Sequence, residues 1–320
     1  MILNELQLCL TNSCSYKCAH CHVDKSEIKF FPKNHIDQVI AIAKSWKVPA
    51  IRLTGGDVFE HEDLKEILKE IKINGLQVIV NSTIKRIGDV FPLLDYIDIL
   101  LFSFTAISDV HENGERLGTI KERMKPGNLM GCFVFEPNWL DRVNEIHGIA
   151  EHFDVFFFLR DVNTSSYRYF ITLHKFISRS FSTIDKIKVA NGFPLCILPP
   201  KYIARCAGGR FDNGHERLYI DCEGRLKTAA YSNIVLGNIS DSSLDIHDAW
   251  HMNQKKIRNL LNETLPCCNC VLRPYCKGGI LVKEGYGEDP LLRYAINYMK
   301  KLEDRKHQSS YNKFIKYKDV

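Results

Sequence analysis

The run Leu3-Asn-Glu-Leu-Gln-Leu-Cys-Leu10 passes directly into Thr11-Asn-Ser-Cys14-Ser-Tyr-Lys-Cys18-Ala-His-Cys21. Its first part, mostly apolar, reads as a buried strand. Its second part places Cys14, Cys18 and Cys21 within eight residues at the point where that strand ends. Three thiolates so close together can wrap one face of a cubane iron–sulfur cluster and leave its fourth iron without a protein ligand. Cysteine and histidine at short spacing also suit zinc, with His20 or His22 beside the thiols, and a disulfide scaffold is a third reading. Structural zinc usually takes two separated ligand pairs, whereas this triplet stands alone. After the next apolar run comes Thr54-Gly55-Gly56-Asp57.

Outward from this stretch, short apolar runs alternate with longer amphipathic ones. Residues Leu3–Leu10, Ala50–Thr54, Leu76–Val80, Ile97–Phe104, Leu129–Phe135 and Val155–Leu159 read as strands, most of them hydrophobic along their whole length, as parallel strands covered on both faces should be. Between them, Asn34–Trp46, His61–Ile73, Ile84–Leu94, Thr119–Met124 and Asn138–His152 read as helices. The pattern predicts an α/β fold, a partial (β/α)6 TIM-like barrel whose reactive face lies at the C-terminal ends of its strands. The cysteine loop emerges at that end. Residues 161–195, with a Ser/Thr/Tyr-rich stretch and a helix through Lys175, read as a closing element and linker.

The spacing Cys14, Cys18, Cys21 followed by Gly55-Gly56-Asp57 resembles the radical S-adenosylmethionine (radical SAM) enzymes. The resemblance implies a SAM-binding 4Fe–4S cluster held by Cys14, Cys18 and Cys21, with the open iron chelating the methionine moiety of S-adenosylmethionine. It places the backbone of Gly55 and Gly56 against the methionine amino group, where the family commonly has Gly-Gly-Glu and this chain has Asp57. It assigns His20 to packing near the adenine, and Asn81 and Ser103 at strand ends to the carboxylate or ribose. Arg160 and Asp161, at the end of the sixth strand, stand where they could meet ribose or substrate, with an ordinary salt bridge as the favoured reading. The segment containing His111 and Gly114 resembles one that often faces substrate.

A second group, Cys267-Cys268-Asn-Cys270-Val-Leu-Arg-Pro-Tyr-Cys276, follows the hairpin signal around Glu223-Gly224. It resembles the cysteine-rich SPASM or twitch extension that holds auxiliary iron–sulfur clusters. Ala229 and Ile280 stand where a full SPASM segment has cysteines, so one auxiliary 4Fe–4S cluster is expected. Cys267, Cys270 and Cys276 would be its ligands, with Cys206 as the fourth and Cys222 or Cys196 as substitutes; four thiolates suit zinc as well. Cys9 and Cys132 read as buried small hydrophobes, and an unligated Cys222 or Cys268 as a hydrogen-atom donor to a substrate radical. The expected division is a barrel with linker over 1–195, the auxiliary-cluster domain over 196–288, and a C-terminal helix and tail over 289–320.

Composition narrows the class further. Of 320 residues, 45% are hydrophobic and 25% charged, which is ordinary for a globular protein. The net charge of +5 is spread along the chain with no basic run, which argues against nucleic acid. The N-terminus lacks the pattern of a secretory signal, and no segment is apolar enough to span a membrane, so a cytoplasmic protein without a membrane partner is expected. In that compartment the 12 cysteines read as metal ligands and thiols. Relatives with this extension most often modify ribosomally made peptides by crosslinking, oxidation or epimerisation. A smaller group acts on aminoglycosides and other sugars by epimerisation or dehydrogenation. With the cluster loop starting at residue 14, no N-terminal leader-binding domain is expected, which weakens the peptide reading. The resemblance also implies an external reductant such as flavodoxin or ferredoxin. The rival of another class is a noncatalytic zinc-binding protein.

Overall fold

The computed structural model describes residues 3–21, 23–161, 164, 166–189, 195–198, 202, 217–263, 267–271 and 290–304. Strands β1 (Glu5–Thr11), β2 (Ala50–Gly55), β3 (Gln77–Thr83), β4 (Ile99–Ser103), β5 (Leu129–Phe135), β6 (Val155–Arg160) and β7 (Ile187–Val189) pair in chain order, all parallel. Helices α1 (Ile36–Ser45), α2 (Leu64–Ile73), α3 (Ile87–Val90), α4 (Ile107–His111), α5 (Gly114–Arg123), α6 (Val143–Ala150) and α7 (Tyr167–Thr183) fill the crossovers. This is the expected partial TIM-like barrel, with one strand more than the sequence suggested.

Alternation along the strands divides two environments. Leu6, Leu8 and Leu10 of β1, Ile51 and Leu53 of β2, Val78 and Val80 of β3, and Phe156 and Phe158 of β6 join the helices in one apolar core. Phe133 packs on Trp139 with ring centroids 4.7 Å apart, and Phe135 on Phe176 at the same separation. Each such buried ring contributes about 1.5–3 kcal/mol relative to an exposed one. The opposite face is the inner wall. It carries Glu5, Gln7, Cys9, Arg52 and Asn81 on β1 to β3, and half-exposed Ile99, Leu101, Met130, Val134, Phe157 and Leu159 on β4 to β6. One side of the lumen is polar and the other apolar.

The stretch read as a linker is a full crossover. Ser166 caps α7 by accepting from the Tyr169 amide, and Phe170, Leu173, Phe176, Ile177 and Phe181 make a buried stripe at helical spacing well past Lys175. Strand β7 follows it and pairs with β6. The C-terminal half then returns to the first strand. β8 (Arg217–Ile220) lies parallel to β1, with Leu8 opposite Ile220, and is followed by antiparallel β9 (Arg225–Lys227) and β10 (Val235–Asn238). The result is one ten-stranded sheet in the order β10-β9-β8-β1-β2-β3-β4-β5-β6-β7. Helix α8 (Ser243–Glu263) buries Trp250 against Trp46 after α1, and α9 (Pro290–Asp304) packs Tyr294 and Tyr298 on Phe170 of α7.

Burying charges in the lumen requires partners. Glu5 accepts from Arg52 Nε at 2.7 Å and Nη2 at 2.8 Å, from Gln7 at 3.0 Å, and pairs with Arg217 Nε at 3.2 Å. Burial works to raise its pKa, yet Arg217 and Arg52 overcome this and hold it down to about 2. β8 and β2 are thereby tied to β1 on both sides.

Candidate active site

The loop after β1 is pinned at both ends. Thr11 bridges Phe30, the Phe31 amide donates to Leu10 O at 2.8 Å, and Asn12 Nδ2 donates to Asp24 O at 2.8 Å and Glu27 O at 2.6 Å. Lys25 Nζ donates to Tyr16 O at 2.7 Å and Cys14 O at 3.4 Å. Inside this loop the Cys21 amide donates to Cys18 O at 3.2 Å, with Cys14 and Cys18 half-buried and Cys21 exposed. Burial pushes the Cys18 thiol up, and the neighbouring charges of Cys21 and Cys14 add to it. The three thiols therefore share one electrostatic neighbourhood, which bound cations would relieve.

β2 delivers the Gly-Gly-Asp loop to the same rim. The Gly56 amide donates to Thr11 O at 2.6 Å and the Asp57 amide to Ser13 O at 2.8 Å. A Cβ on Gly55, which has φ +133°, would lie 2.2 Å from Thr11 O, and one on Gly56 would lie 2.0 Å from Ser13 O. Only glycine lets the two backbones approach this closely. Glu60, which the sequence did not flag, completes the clasp. Its carboxylate accepts from the Ser13 hydroxyl, from the Ser15 amide at 2.8 Å and from the Ser15 hydroxyl at 2.5 Å. Burial would raise Glu60, but these hydrogen bonds hold it below its ordinary value.

Asp57 is buried, accepts from the Phe59 amide at 3.2 Å, and takes a 3.5 Å bond from Ser82 Oγ. Its Oδ2 lies 3.4 Å from Arg86 Nε but accepts no hydrogen bond. Burial pushes its carboxyl up. Ser103 is exposed at the end of β4 and donates to Ser82 O at 3.2 Å. Asn81 sits lower on the inner wall, accepting from Arg52 Nη1 at 2.9 Å. His20 leans toward β5, its Nδ1 3.6 Å from Glu136 Oε1. Arg160 is buried at the end of β6, and the Asp161 amide donates to Tyr169 Oη at 2.7 Å. Gly114 packs on His152 in the outer layer, and His111 is exposed at the end of α4.

The other sites lie elsewhere. Cys267 and Cys268 occupy a 3-10 turn, Cys267–Asn269, closed by the amide of the following Cys270, which donates to Cys267 O at 3.2 Å. Cys196 is half-buried on another such turn, and Cys206 and Cys276 lie outside the described residues. Cys222 is half-buried just beyond β8. Among the described residues, no three or more His, Cys, Asp or Glu side chains converge closely enough to hold a metal ion. The thiol donor set, the shared electrostatics at Cys18 and the unsatisfied acceptor on Asp57 fit an iron–sulfur cluster with an amine-bearing ligand beside it.

A parallel α/β barrel with a cysteine triplet and a glycine loop on its C-terminal rim defines a class. Residues 8–127 match the Radical SAM superfamily. A Radical SAM domain implies a 4Fe–4S cluster and S-adenosylmethionine. The chain is similar to a probable GTP 3′,8-cyclase of Metallosphaera sedula, 31% identical over 84 residues, 25% of this chain and 26% of that protein. The matched part thus spans about a quarter of that relative's length. It is also similar to a probable GTP 3′,8-cyclase of Sulfurisphaera tokodaii, 23% identical over 278 residues, 77% of this chain and 85% of that protein. Among solved structures, SuiB of Streptococcus suis bound to S-adenosylmethionine superposes with a TM-score of 0.64 at 14% identity, over 91% of this chain and 75% of SuiB. The enzyme anSMEcpe with bound AdoMet and Cp18Cys peptide gives 0.63 at 13% identity, over 96% and 99%. At such identities the likeness is one of fold. Among the described residues, no helix is long and apolar enough to cross a membrane.

Proposed function

We propose that this chain is a radical SAM enzyme that abstracts hydrogen from a peptide substrate, in the course of crosslinking, oxidation or epimerisation. The observation that carries it is the clasp between the cysteine loop and the Gly55-Gly56-Asp57 loop at the C-terminal rim. Cys14, Cys18 and Cys21 would hold the 4Fe–4S cluster, which when bound and reduced would supply the one electron that cleaves S-adenosylmethionine to methionine and a 5′-deoxyadenosyl radical. Gly55 and Gly56 would offer backbone to the methionine moiety, Asp57 its unsatisfied oxygen, and His20 a flat face for the adenine. Ser103 lies at the rim for the carboxylate or ribose and Asn81 deeper, held by Arg52. The apolar wall of Leu101, Met130, Val134, Phe157 and Leu159 would exclude water from the reacting carbon.

Cys267, Cys270 and Cys276 with Cys206 would hold one auxiliary cluster in a SPASM or twitch-like C-terminal part, and a flavodoxin or ferredoxin would reduce the protein. Zinc at both cysteine groups without catalysis would leave the barrel and the superfamily match unexplained. The peptide reading draws on the fold shared with SuiB, which has been solved bound to precursor peptide SuiA. A second reading, a purine nucleotide substrate, draws on the relatives named as cyclases. Anaerobically reconstituted protein, reduced with dithionite and given S-adenosylmethionine, should form 5′-deoxyadenosine, and the Cys18→Ala variant should form none. A deuterated substrate peptide should pass its label into that nucleoside; transfer from deuterated GTP instead would overturn the peptide reading.

A further inference from the structure

Helix α8 carries His247-Asp-Ala-Trp-His251, two histidines four residues apart, and the functions above use neither. That spacing puts both side chains on one face of a helix, one turn apart. The structure brings them into direct contact: His251 Nε2 lies 3.0 Å from His247 Nε2, and the ring centroids are 4.2 Å apart with the planes at 72°. Both rings rest on tryptophans. His247 meets Trp46 edge to face at 5.3 Å, His251 lies 5.1 Å from Trp250, and the buried Trp250 packs on Trp46 at 6.0 Å. The carboxylate of Asp248 lies 3.8 Å from His247 Nδ1, the ring nitrogen that does not face His251.

Between two neutral imidazoles only one proton lies on the line joining the Nε2 atoms, so one ring donates and the other accepts. When the donor ring carries its proton on Nδ1 instead, both Nε2 lone pairs are free for one metal ion. Imidazole binds such ions at about 2.0–2.1 Å, and two bonds of that length to nitrogens 3.0 Å apart enclose about 95° at the ion. That angle is a corner of an octahedral or square-planar sphere and is narrower than the tetrahedral corner of structural zinc. The pair therefore suits nickel(II) or copper(II), with water in the remaining positions. Histidines at this helical spacing hold a metal ion in the His-Glu-x-x-His motif.

We propose that His247 and His251 form a surface site for a divalent transition-metal ion of the nickel or copper type, separate from both cysteine groups. The two Nε2 atoms supply the protein ligands. Asp248 is the carboxylate placed to fix the His247 tautomer, its negative charge favouring a proton on Nδ1 and so a free lone pair on Nε2. The bound ion clips one turn of α8 where that helix packs on Trp46 of the barrel.

The test uses untagged, full-length, anaerobically reconstituted protein, titrated with nickel(II) chloride and treated briefly with diethyl pyrocarbonate, the modified histidines being mapped by mass spectrometry. The internal reference is the exposed His147, which has no histidine four residues before or after it. His247 and His251 should lose reactivity together, at a nickel concentration at least about tenfold below the one that protects His147, because two tethered ligands hold one ion more tightly than either alone. His247→Ala should return His251 to the behaviour of His147, and His251→Ala should do the same for His247. Reactivity of the pair that persists until His147 is protected overturns the proposal, as does protection of the remaining histidine that is undiminished in either variant.

Discussion

Replacing Glu5 by Gln should destabilise the barrel far more than a surface substitution. The Glu5 side chain is 1% exposed and that of Arg52 10%, and the carboxylate is the shared partner of Arg52 and Arg217. Its pKa falls from 4.5 to about 2 on folding; at about 1.36 kcal/mol per unit this is about 3 kcal/mol of stability. Because the folded value is depressed, that stability is fully present above pH 4.5 and is lost as pH falls toward 2. Truncating one member of a buried ion pair costs about 3–5 kcal/mol, since it strands the other charge. Urea unfolding followed by circular dichroism, run for wild type and Glu5→Gln from neutral to acid pH, reads both quantities. The variant should be less stable by about 3 kcal/mol at neutral pH, and the gap should close as the solution is acidified. A gap below about 1 kcal/mol, typical of exposed pairs, or one that does not change with pH, would refute the reasoning.

Gly131→Ala should cost about 1–3 kcal/mol by overpacking, because its Cβ would lie 2.6 Å from the Phe153 ring in the phenylalanine core; denaturant midpoints measure it. Asp57→Asn should weaken S-adenosylmethionine binding, read as a higher KM for 5′-deoxyadenosine formation. Burial raises the Asp57 pKa, so its ionisation works against folding as pH climbs past 3.8, and the variant should be at least as stable at neutral pH in thermal unfolding. Cys270→Ala should keep part of the S-adenosylmethionine cleavage that Cys18→Ala abolishes while stopping turnover of substrate. Iron analysis should fall from about eight to about four per chain in Cys270→Ala, one four-iron cluster having been lost.

Much of the barrel was legible because β1 to β6 are near-continuous apolar runs, which parallel strands covered on both faces require. β7 was not, because three residues carry no period of their own and follow a helix whose Ser and Thr residues obscured its stripe from Phe170 to Phe181. The hairpin at Glu223-Gly224 was readable from its turn, whereas the docking of β8 on β1 joins residues 8 and 220 and leaves no local mark. Glu5 and Arg52 interrupt their strands in the sequence and find each other only across the sheet. At the site, Gly55, Gly56 and Asp57 stood out by motif. Glu60, Arg86 and Glu136 did not, since each is an ordinary charged residue until the fold sets it against Ser13, Asp57 and His20. Cys9 read as a buried small hydrophobe, and it is buried.

The most direct test of the cysteine loop is electron–nuclear double resonance on the reduced, reconstituted protein mixed with S-adenosylmethionine isotopically labelled at the methionine amino nitrogen. An open iron held by Cys14, Cys18 and Cys21 predicts a strong hyperfine coupling to that nitrogen, absent from the Cys18→Ala variant. A reduced cluster that shows no coupling to the label would contradict the account.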